Sequence, residues 1–173
     1  MALTDNIERI FAREYVLPVE EILGKRTLAV VSSLQKANAA LLKRPTRPGR
    51  RRLPDYQRLT RWRTLTKFQR SELCAILTDP ESYWNGWPKY RRFPPRPGFA
   101  IQLKGPDDDA VLLVDLHNPG WEIFCGDEKY WGFNFAGPRL AVLAKAVFAE
   151  YASNNSKSVW KKGAIETLEG GYS

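Results

Sequence analysis

Apolar and polar residues alternate along the second half of the chain, and this alternation predicts strands. In FAIQLKG the apolar residues Phe99, Ile101 and Leu103 occupy every second position, which places their side chains on one face. The acidic PDDD that follows predicts a turn, and AVLLVDLH and WEIFCG predict two more strands on either side of NPG. A fourth strand is expected within residues 129–135. The pattern predicts an antiparallel sheet of three to four strands.

Apolar residues that recur every three or four positions predict two helices near the N-terminus. Asp5 and Glu8 have the spacing of a capping box, and the helix that they begin is expected to end at Pro18. A second helix is expected over residues 27–42, where apolar residues recur at helical spacing as far as Leu41.

Two further helices are predicted on either side of the strands. Thr66 and Gln69 can cap a helix over residues 66–78, and Pro138 suits the first turn of a helix over residues 138–152. Helices, then antiparallel strands, then a helix indicate an α+β fold. In this fold the two flanking helices are expected to cover the core face of the sheet.

The chain divides into four segments by composition and predicted structure. Residues 1–44 are predicted as an N-terminal helical arm, and residues 45–63, rich in proline and arginine, as a basic linker. Residues 64–152 form the predicted α+β domain, and residues 153–173 form a polar C-terminal tail. Apolar residues make up 43% of the 173-residue chain, which is enough for one hydrophobic core.

Positive charge is concentrated between Lys43 and Arg70. This stretch holds eleven Lys or Arg and one acid, whereas the rest of the chain holds 16 Lys or Arg and 18 acids. Arginine suits bidentate contacts with phosphate, and Tyr56 and Trp62 lie among the arginines, where they could stack on bases. A solvated linker or a contact with an acidic protein surface would use the same charges. The candidate nucleic-acid-binding residues are Arg50, Arg51, Arg52, Arg58, Arg61, Trp62 and Arg63.

The segment VLLVDLHNPGWEIFC holds the only histidine, one of two cysteines and two carboxylates. A two-residue type II turn at its PG sequence would place His117 opposite Glu122 and Leu116 opposite Ile123. Side chains alternate between the faces of a strand, so Cys125 and His117 would lie on opposite faces and could not form a catalytic pair. The predicted core face carries Leu112, Val114, Leu116, Trp121, Ile123 and Cys125, and the predicted outer face carries Leu113, Asp115, His117, Glu122 and Phe124.

The outer-face group of Asp115, His117 and Glu122 is the candidate catalytic set, because carboxylates and an imidazole can transfer protons. Opposite charges that face each other across two strands are also an ordinary source of sheet stability, and this interpretation is preferred. Leu113 and Phe124 are apolar residues on the same face, which predicts that a helix, the aromatic loop ESYWNGWPKYRRFPPRPG or a partner protein covers it.

Recognised motifs for other chemistry do not occur in the chain, which contains no P-loop, dinucleotide-binding loop or nucleophile elbow. One histidine and two distant cysteines do not give the spacing of a zinc site, and residues 107–109 lack the spaced ligands of a calcium loop. We therefore expect no metal and no cofactor. Few cysteines, an N-terminal segment without an apolar run and the lack of a long apolar stretch predict a cytoplasmic protein without a membrane span.

Four segments in the order ELCAILTDPESYW, FPPRPGFAIQ, LLVDLHNPGWEIF and LAVLAKAVF resemble the arrangement in small uncharacterised bacterial proteins of α+β type. The resemblance covers residues 71–148 and implies a helix, three strands and a closing helix. Such proteins often carry extra cysteines on the strands, where this chain has Asp115 and His117. The resemblance implies no activity, because none is attached to those proteins.

The residues favour a non-catalytic binding protein over an enzyme. We expect it to act through a protein partner, as an adaptor or as an immunity-type module that blocks another protein. An accessory protein that grips nucleic acid through residues 43–70 is the alternative, and an enzyme that uses Asp115, His117 and Glu122 is the second alternative. A salt-titrated binding assay would distinguish the first two.

Overall fold

The computed structural model describes residues 18–45, 52–83, 96–116, 120–132 and 136–149. The first predicted helix, Arg50, Arg51, His117 and the predicted C-terminal tail lie outside these ranges. The helices are α1 (Val19–Leu23), α2 (Lys25–Ser32), α3 (Lys67–Thr78) and α4 (Ala136–Val147). The strands are β1 (Lys36–Leu41), β2 (Arg63–Thr64), β3 (Phe99–Lys104), β4 (Asp109–Asp115), β5 (Gly120–Cys125) and β6 (Glu128–Gly132).

All six strands belong to one antiparallel sheet with the order β2-β1-β3-β4-β5-β6. The strands β3 to β6 are consecutive along the chain and correspond to the four strands that the alternation predicts. The α+β class is confirmed, but the expected number of three to four strands is wrong. The two additional strands, β1 and β2, come from the segments predicted as a helical arm and a linker.

The helix predicted over residues 27–42 is wrong in its second half. Helix α2 ends at Ser32, and Lys36–Leu41 form β1, which lies between β2 and β3. Ala37 and Ala39 both point into the core, so this stretch fits a period of two as well as a helical period. Alanine side chains fit a strand that is buried between two neighbours, and this packing overrides the helix propensity of alanine.

The main hydrophobic core lies between one face of the sheet and the helices. The six residues predicted for the core face of the β4–β5 hairpin are all buried in it, so this part of the prediction is confirmed. Helix α3 contributes Leu73, Ile76 and Leu77, as its spacing predicts. The ring of Tyr83 meets that of Trp121 edge to face, with the centroids 5.5 Å apart.

The predicted cap of α3 is confirmed, because the Thr66 hydroxyl accepts a hydrogen bond from the backbone N–H of Gln69 and the Gln69 side chain accepts one from the N–H of Thr66. Helix α4 begins at Ala136, two residues before the predicted start. A side chain of α4 reaches the end of α3, where Arg139 donates to the carboxylate of Asp79 over 2.8 Å. Both helices contribute to the core on this face, as expected, and α1 and α2 also contribute to it through Leu23, Val30 and Val31.

The β4–β5 hairpin has a different register from the predicted one. Leu113 is the partner of Glu122, so the predicted pairs His117–Glu122 and Leu116–Ile123 are wrong. Four residues connect the two strands instead of two. A type II turn twists in the sense that splays hairpin strands, which explains why the shorter connection is not used. The register differs by an even number of positions, so the assignment of side chains to the two faces is unchanged.

Candidate functional site

The outer face of the sheet carries a second apolar cluster. Residues 52–62, which we call the cover segment, contribute three of its members, Leu53, Tyr56 and Trp62. The apolar outer face is thus covered by part of the segment that the sequence predicted as a linker. The cluster consists of the buried residues Leu42, Tyr56, Ala100 and Leu113, with Leu53, Trp62, Val111 and Phe124 packed against them.

Backbone hydrogen bonds hold the cover segment along the edge of β1 that faces away from β3. The N–H of Leu59 donates to the carbonyl of Leu41, and the N–H of Lys43 donates to the carbonyl of Gln57, each over 2.8 Å. The hydroxyl of Thr60 accepts from the N–H of Leu41 over 2.9 Å. These contacts continue into β2, so the cover segment is an ordered extension of the sheet.

The cover segment directs its aromatic rings toward the sheet and its arginines toward solvent. Tyr56 is only 8% exposed, so its ring is not available to stack on a base. Trp62 is half-buried against the same cluster. Arg52, Arg58 and Arg61 are exposed. The fold therefore separates Tyr56 from the exposed arginines, whereas Arg58 keeps a contact with the ring of Trp62.

Arg63 differs from these arginines because its guanidinium contacts α4. Its Nη1 donates to the carbonyl of Val147 over 3.1 Å, and its Cζ lies 5.3 Å from the ring centroid of Phe148. Val147 is the last residue of α4, where backbone carbonyls have no partner within the helix. Arg63 thus contributes to the junction between β2 and α4, a role that the charge pattern did not reveal.

Arg58 lies over the indole ring of Trp62, with its Cζ 5.5 Å from the ring centroid. Its backbone pairs with Leu42, which is followed in the chain by the exposed residues Lys43 and Arg44. Lys43 and Arg44 belong to the basic stretch of the sequence but not to the set of candidate binding residues predicted from it. We use the name basic surface for five exposed cations of the described residues that make no contact with α4: Lys43, Arg44, Arg52, Arg58 and Arg61.

Asp115 and Glu122, predicted as members of an outer-face acidic group, are both buried, at 2% and 1% exposure. One carboxylate oxygen of Asp115 accepts a hydrogen bond from the backbone N–H of Arg96 over 3.0 Å. One oxygen of Glu122 lies 3.2 Å from the ammonium of Lys129, and the other has no hydrogen-bond partner in the part of the chain described. Both carboxylates are therefore buried, and Glu122 forms its ion pair with Lys129 of β6.

Lys129 was not identified from the sequence, although the signal was present. Two residues connect β5 to β6, which fixes the register so that Lys129 lies opposite Phe124 and diagonal to Glu122. Its ammonium lies 4.9 Å from the ring centroid of Phe124. Glu122 and Phe124 thus share the same cation.

The two thiols are unpaired and have inward positions. Burial raises the pKa of Cys125, which lies in the main core. Burial also raises the pKa of Cys74, whose Sγ donates to the carbonyl of Val31. Raised pKa values disfavour the nucleophilic thiolate at neutral pH, so neither residue has the environment of a reactive cysteine.

The acidic turn before β4 forms ion pairs with the protein itself. Asp108 binds Arg26 through both carboxylate oxygens, at 2.7 and 2.6 Å, and this hydrogen bonding lowers the pKa of Asp108. Asp109 lies 3.6 Å from the ammonium of Lys104. Across the five described ranges, no group of three or more His, Cys, Asp or Glu side chains could hold a metal ion.

No protein-family model matches the chain, and no curated protein matches it. A solved structure described as "Putative Lipoprotein from Clostridium perfringens" is similar over 80% of this chain and 98% of its own, with 13% identity and a TM-score of 0.45. No helix within the described ranges has both the length and the apolar character needed to cross a bilayer.

Proposed function

We propose that this chain is a non-catalytic binding protein that docks an acidic protein partner on its basic surface. The observation that supports the proposal is the position of the cover segment, whose apolar side chains pack on the sheet while Arg52, Arg58 and Arg61 are exposed. Backbone hydrogen bonds to β1 fix the segment, so the cations are presented from a defined surface. Defined positions reduce the entropy that is lost when a partner binds.

An acidic protein surface suits these residues better than a nucleic acid does. Base stacking needs accessible rings, and Tyr56 is buried while Trp62 already contacts Arg58. Arg63 contributes to the contact with α4, which leaves fewer arginines for a phosphate backbone than the sequence suggested. Carboxylates of a partner need only exposed guanidinium groups, which bind them in a bidentate manner.

An enzyme that acts through Asp115, His117 and Glu122 is less well supported. The two described carboxylates are buried, and each has a contact within the protein, from the backbone of Arg96 and from Lys129. A general acid or base must reach the proton that it transfers. A cytoplasmic setting remains part of the proposal and rests on the unpaired state of the two cysteines.

The test compares the affinity of two charge variants for labelled poly-L-glutamate by fluorescence anisotropy, at about 0.15 M ionic strength. Replacing Arg52, Arg58 and Arg61 by glutamine is expected to weaken binding about tenfold, since three exposed charge contacts contribute about 0.5 kcal/mol each. The matched control replaces Lys25, Lys36 and Lys104 by glutamine. It changes the net charge equally, and two of its residues lie at the opposite end of the β1–β3 pair from the cover segment. We expect the control to bind within about twofold of the wild type, as surface changes away from a site usually have small effects.

Equal loss of affinity in both variants would show that binding follows net charge, and this would contradict the proposal. Single-stranded RNA and duplex DNA of matched length are measured in parallel. Tighter binding to either nucleic acid than to poly-L-glutamate, lost in the arginine variant and retained in the control, would replace the proposal by the nucleic-acid alternative.

A further inference from the structure

We infer that Arg58, whose guanidinium lies over the ring of Trp62, is the anchor of the basic surface and binds a carboxylate of an acidic polypeptide. This inference rests on the proposed function and identifies the residue and the chemical group through which it acts. Arg58 is exposed, and its Cζ lies 5.5 Å from the centroid of the Trp62 ring. This is the distance of a cation–π contact.

The exposure of Arg58 leaves the N–H donors of its guanidinium accessible to a partner. Stacking uses the flat face of the group, whereas its five N–H donors point outward in its plane. A carboxylate can therefore accept two parallel hydrogen bonds from Arg58 while the contact with Trp62 is kept. Arg58 and Trp62 are both held in place. The backbone of Arg58 pairs with Leu42, and the side chain of Trp62 packs on the outer cluster.

The other arginines of the cover segment do not combine these properties. Arg63 already donates to the carbonyl of Val147. Arg52 and Arg61 are exposed, and no cation–π contact to either one is found among the described residues. A long exposed side chain loses rotamer freedom when it binds, and a side chain that is already held against a ring loses less. Arg58 should therefore contribute more affinity than its charge alone provides.

Nearby cations favour a partner with several carboxylates over one with an isolated carboxylate. Leu42 pairs with Arg58, and the exposed residues Lys43 and Arg44 follow it directly in the chain. The backbone of Lys43 is held by its hydrogen bond to Gln57, next to Arg58 in the sequence. An acidic polypeptide can place one carboxylate on Arg58 and adjacent ones near these two cations.

Charge-conserving variants test the inference against labelled poly-L-glutamate. Arg58→Lys keeps the positive charge but loses the planar guanidinium and its paired donors, so we expect roughly fivefold weaker binding. Arg61→Lys makes the same change at another cation of the basic surface and is expected to weaken binding less, because no ring contact to Arg61 is found among the described residues. Lys36→Arg, at the far end of β1, is the control and is expected to bind within about twofold of the wild type. Trp62→Leu keeps an apolar side chain and Arg58, and it is expected to weaken binding to a similar degree. Thermal unfolding of each variant shows whether it remains folded.

The outcomes separate the anchor from the proposed function. Failure of the wild type to bind poly-L-glutamate would overturn the proposed function and the inference together. Binding by the wild type with equal affinities for Arg58→Lys and Arg61→Lys would overturn the anchor alone and leave the basic surface in place. A phosphate-bearing oligonucleotide that binds more tightly than poly-L-glutamate and shows the same dependence on Arg58 would overturn the carboxylate assignment.

Discussion

Replacing Lys129 by methionine tests the buried ion pair on the outer face. One oxygen of Glu122 lies 3.2 Å from the Lys129 ammonium, and the other has no partner in the described part of the chain. Lys129→Met keeps the unbranched chain but leaves Glu122 as a buried carboxylate with no partner for either oxygen among the described residues. Removal of one partner from a buried pair costs more than the pair contributes, because the remaining charge is left without water and without a counterion.

The expected magnitude follows from the burial of the two side chains. Breaking a fully buried pair costs about 3–5 kcal/mol of unfolding free energy. The Lys129 side chain is 27% exposed, so water screens part of the interaction, and we expect a loss of about 2–3 kcal/mol. The contact with the Phe124 ring accounts for about 0.5–1 kcal/mol of this loss. Phe124→Leu is the control, since it removes the ring and leaves the ion pair.

Urea unfolding followed by circular dichroism measures these differences. The double variant Glu122→Met with Lys129→Met should be close to the wild type in stability, or more stable, because no unpaired charge remains. The reasoning is refuted if Lys129→Met costs less than about 0.5 kcal/mol, the range of ordinary surface changes. It is also refuted if the double variant is less stable than Lys129→Met alone.

Three further changes test other parts of the structure by the same unfolding measurement. Leu113→Ala should cost about 2–4 kcal/mol because the residue is fully buried on the outer face; a cost under about 1 kcal/mol would mean that the cover segment does not pack there. Gly24→Ala should cost about 2 kcal/mol, because Gly24 has a φ of 75° and an added Cβ would meet the Tyr130 hydroxyl; an unchanged stability would contradict this backbone conformation. Burial raises the pKa of Tyr83, whose hydroxyl donates to the carbonyl of Leu77 over 2.6 Å, while an unfolded tyrosine titrates near about 10. Because its pKa is raised in the folded state, the contribution of the neutral Tyr83 hydroxyl to stability is present below about pH 10 and is lost as the pH rises above it. The wild type should therefore lose more stability than Tyr83→Phe between about pH 9 and pH 11. Equal losses would contradict the burial of this hydroxyl.

Local patterns predicted those elements whose signals lie within one segment. The cap at Thr66 and Gln69, and the apolar face of α3, depend on residues a few positions apart, and both are confirmed. The alternation in β4 and β5 also placed Cys125 in the core correctly. This assignment to a face of the sheet remained correct although the predicted register was wrong. Side chains alternate with a period of two, and the observed register differs from the predicted one by an even number of positions. By contrast β1 was missed, because its alanines fit a helix locally and form a strand only beside β3.

The candidate site was predicted as a set of residues but not as an arrangement. Charge counting located the basic stretch, yet it could not show that Tyr56 packs on the sheet or that Arg63 reaches α4. Both facts depend on contacts between residues far apart in the sequence. Asp115 and Glu122 were assigned to the correct face, but their burial depends on what covers that face. The alternation of apolar and polar residues shows on which face of a sheet a side chain lies, but it does not show whether that face is exposed to solvent.

The position of β1 has a consequence for the order of events during synthesis and folding. Leu41 pairs with Phe99, and Lys36 pairs with Lys104, so β1 leaves the ribosome long before its main partner strand. Contacts that close such long loops slow folding, and until they form the alanine-rich strand has only the short β2 as a neighbour. A fragment that ends before β3 is expected to give the circular dichroism spectrum of a largely unfolded chain, and a cooperative thermal transition in it would contradict this. Insertions between β1 and β3 should slow refolding more than they lower stability, since the free-energy cost of a longer loop grows only with the logarithm of its length.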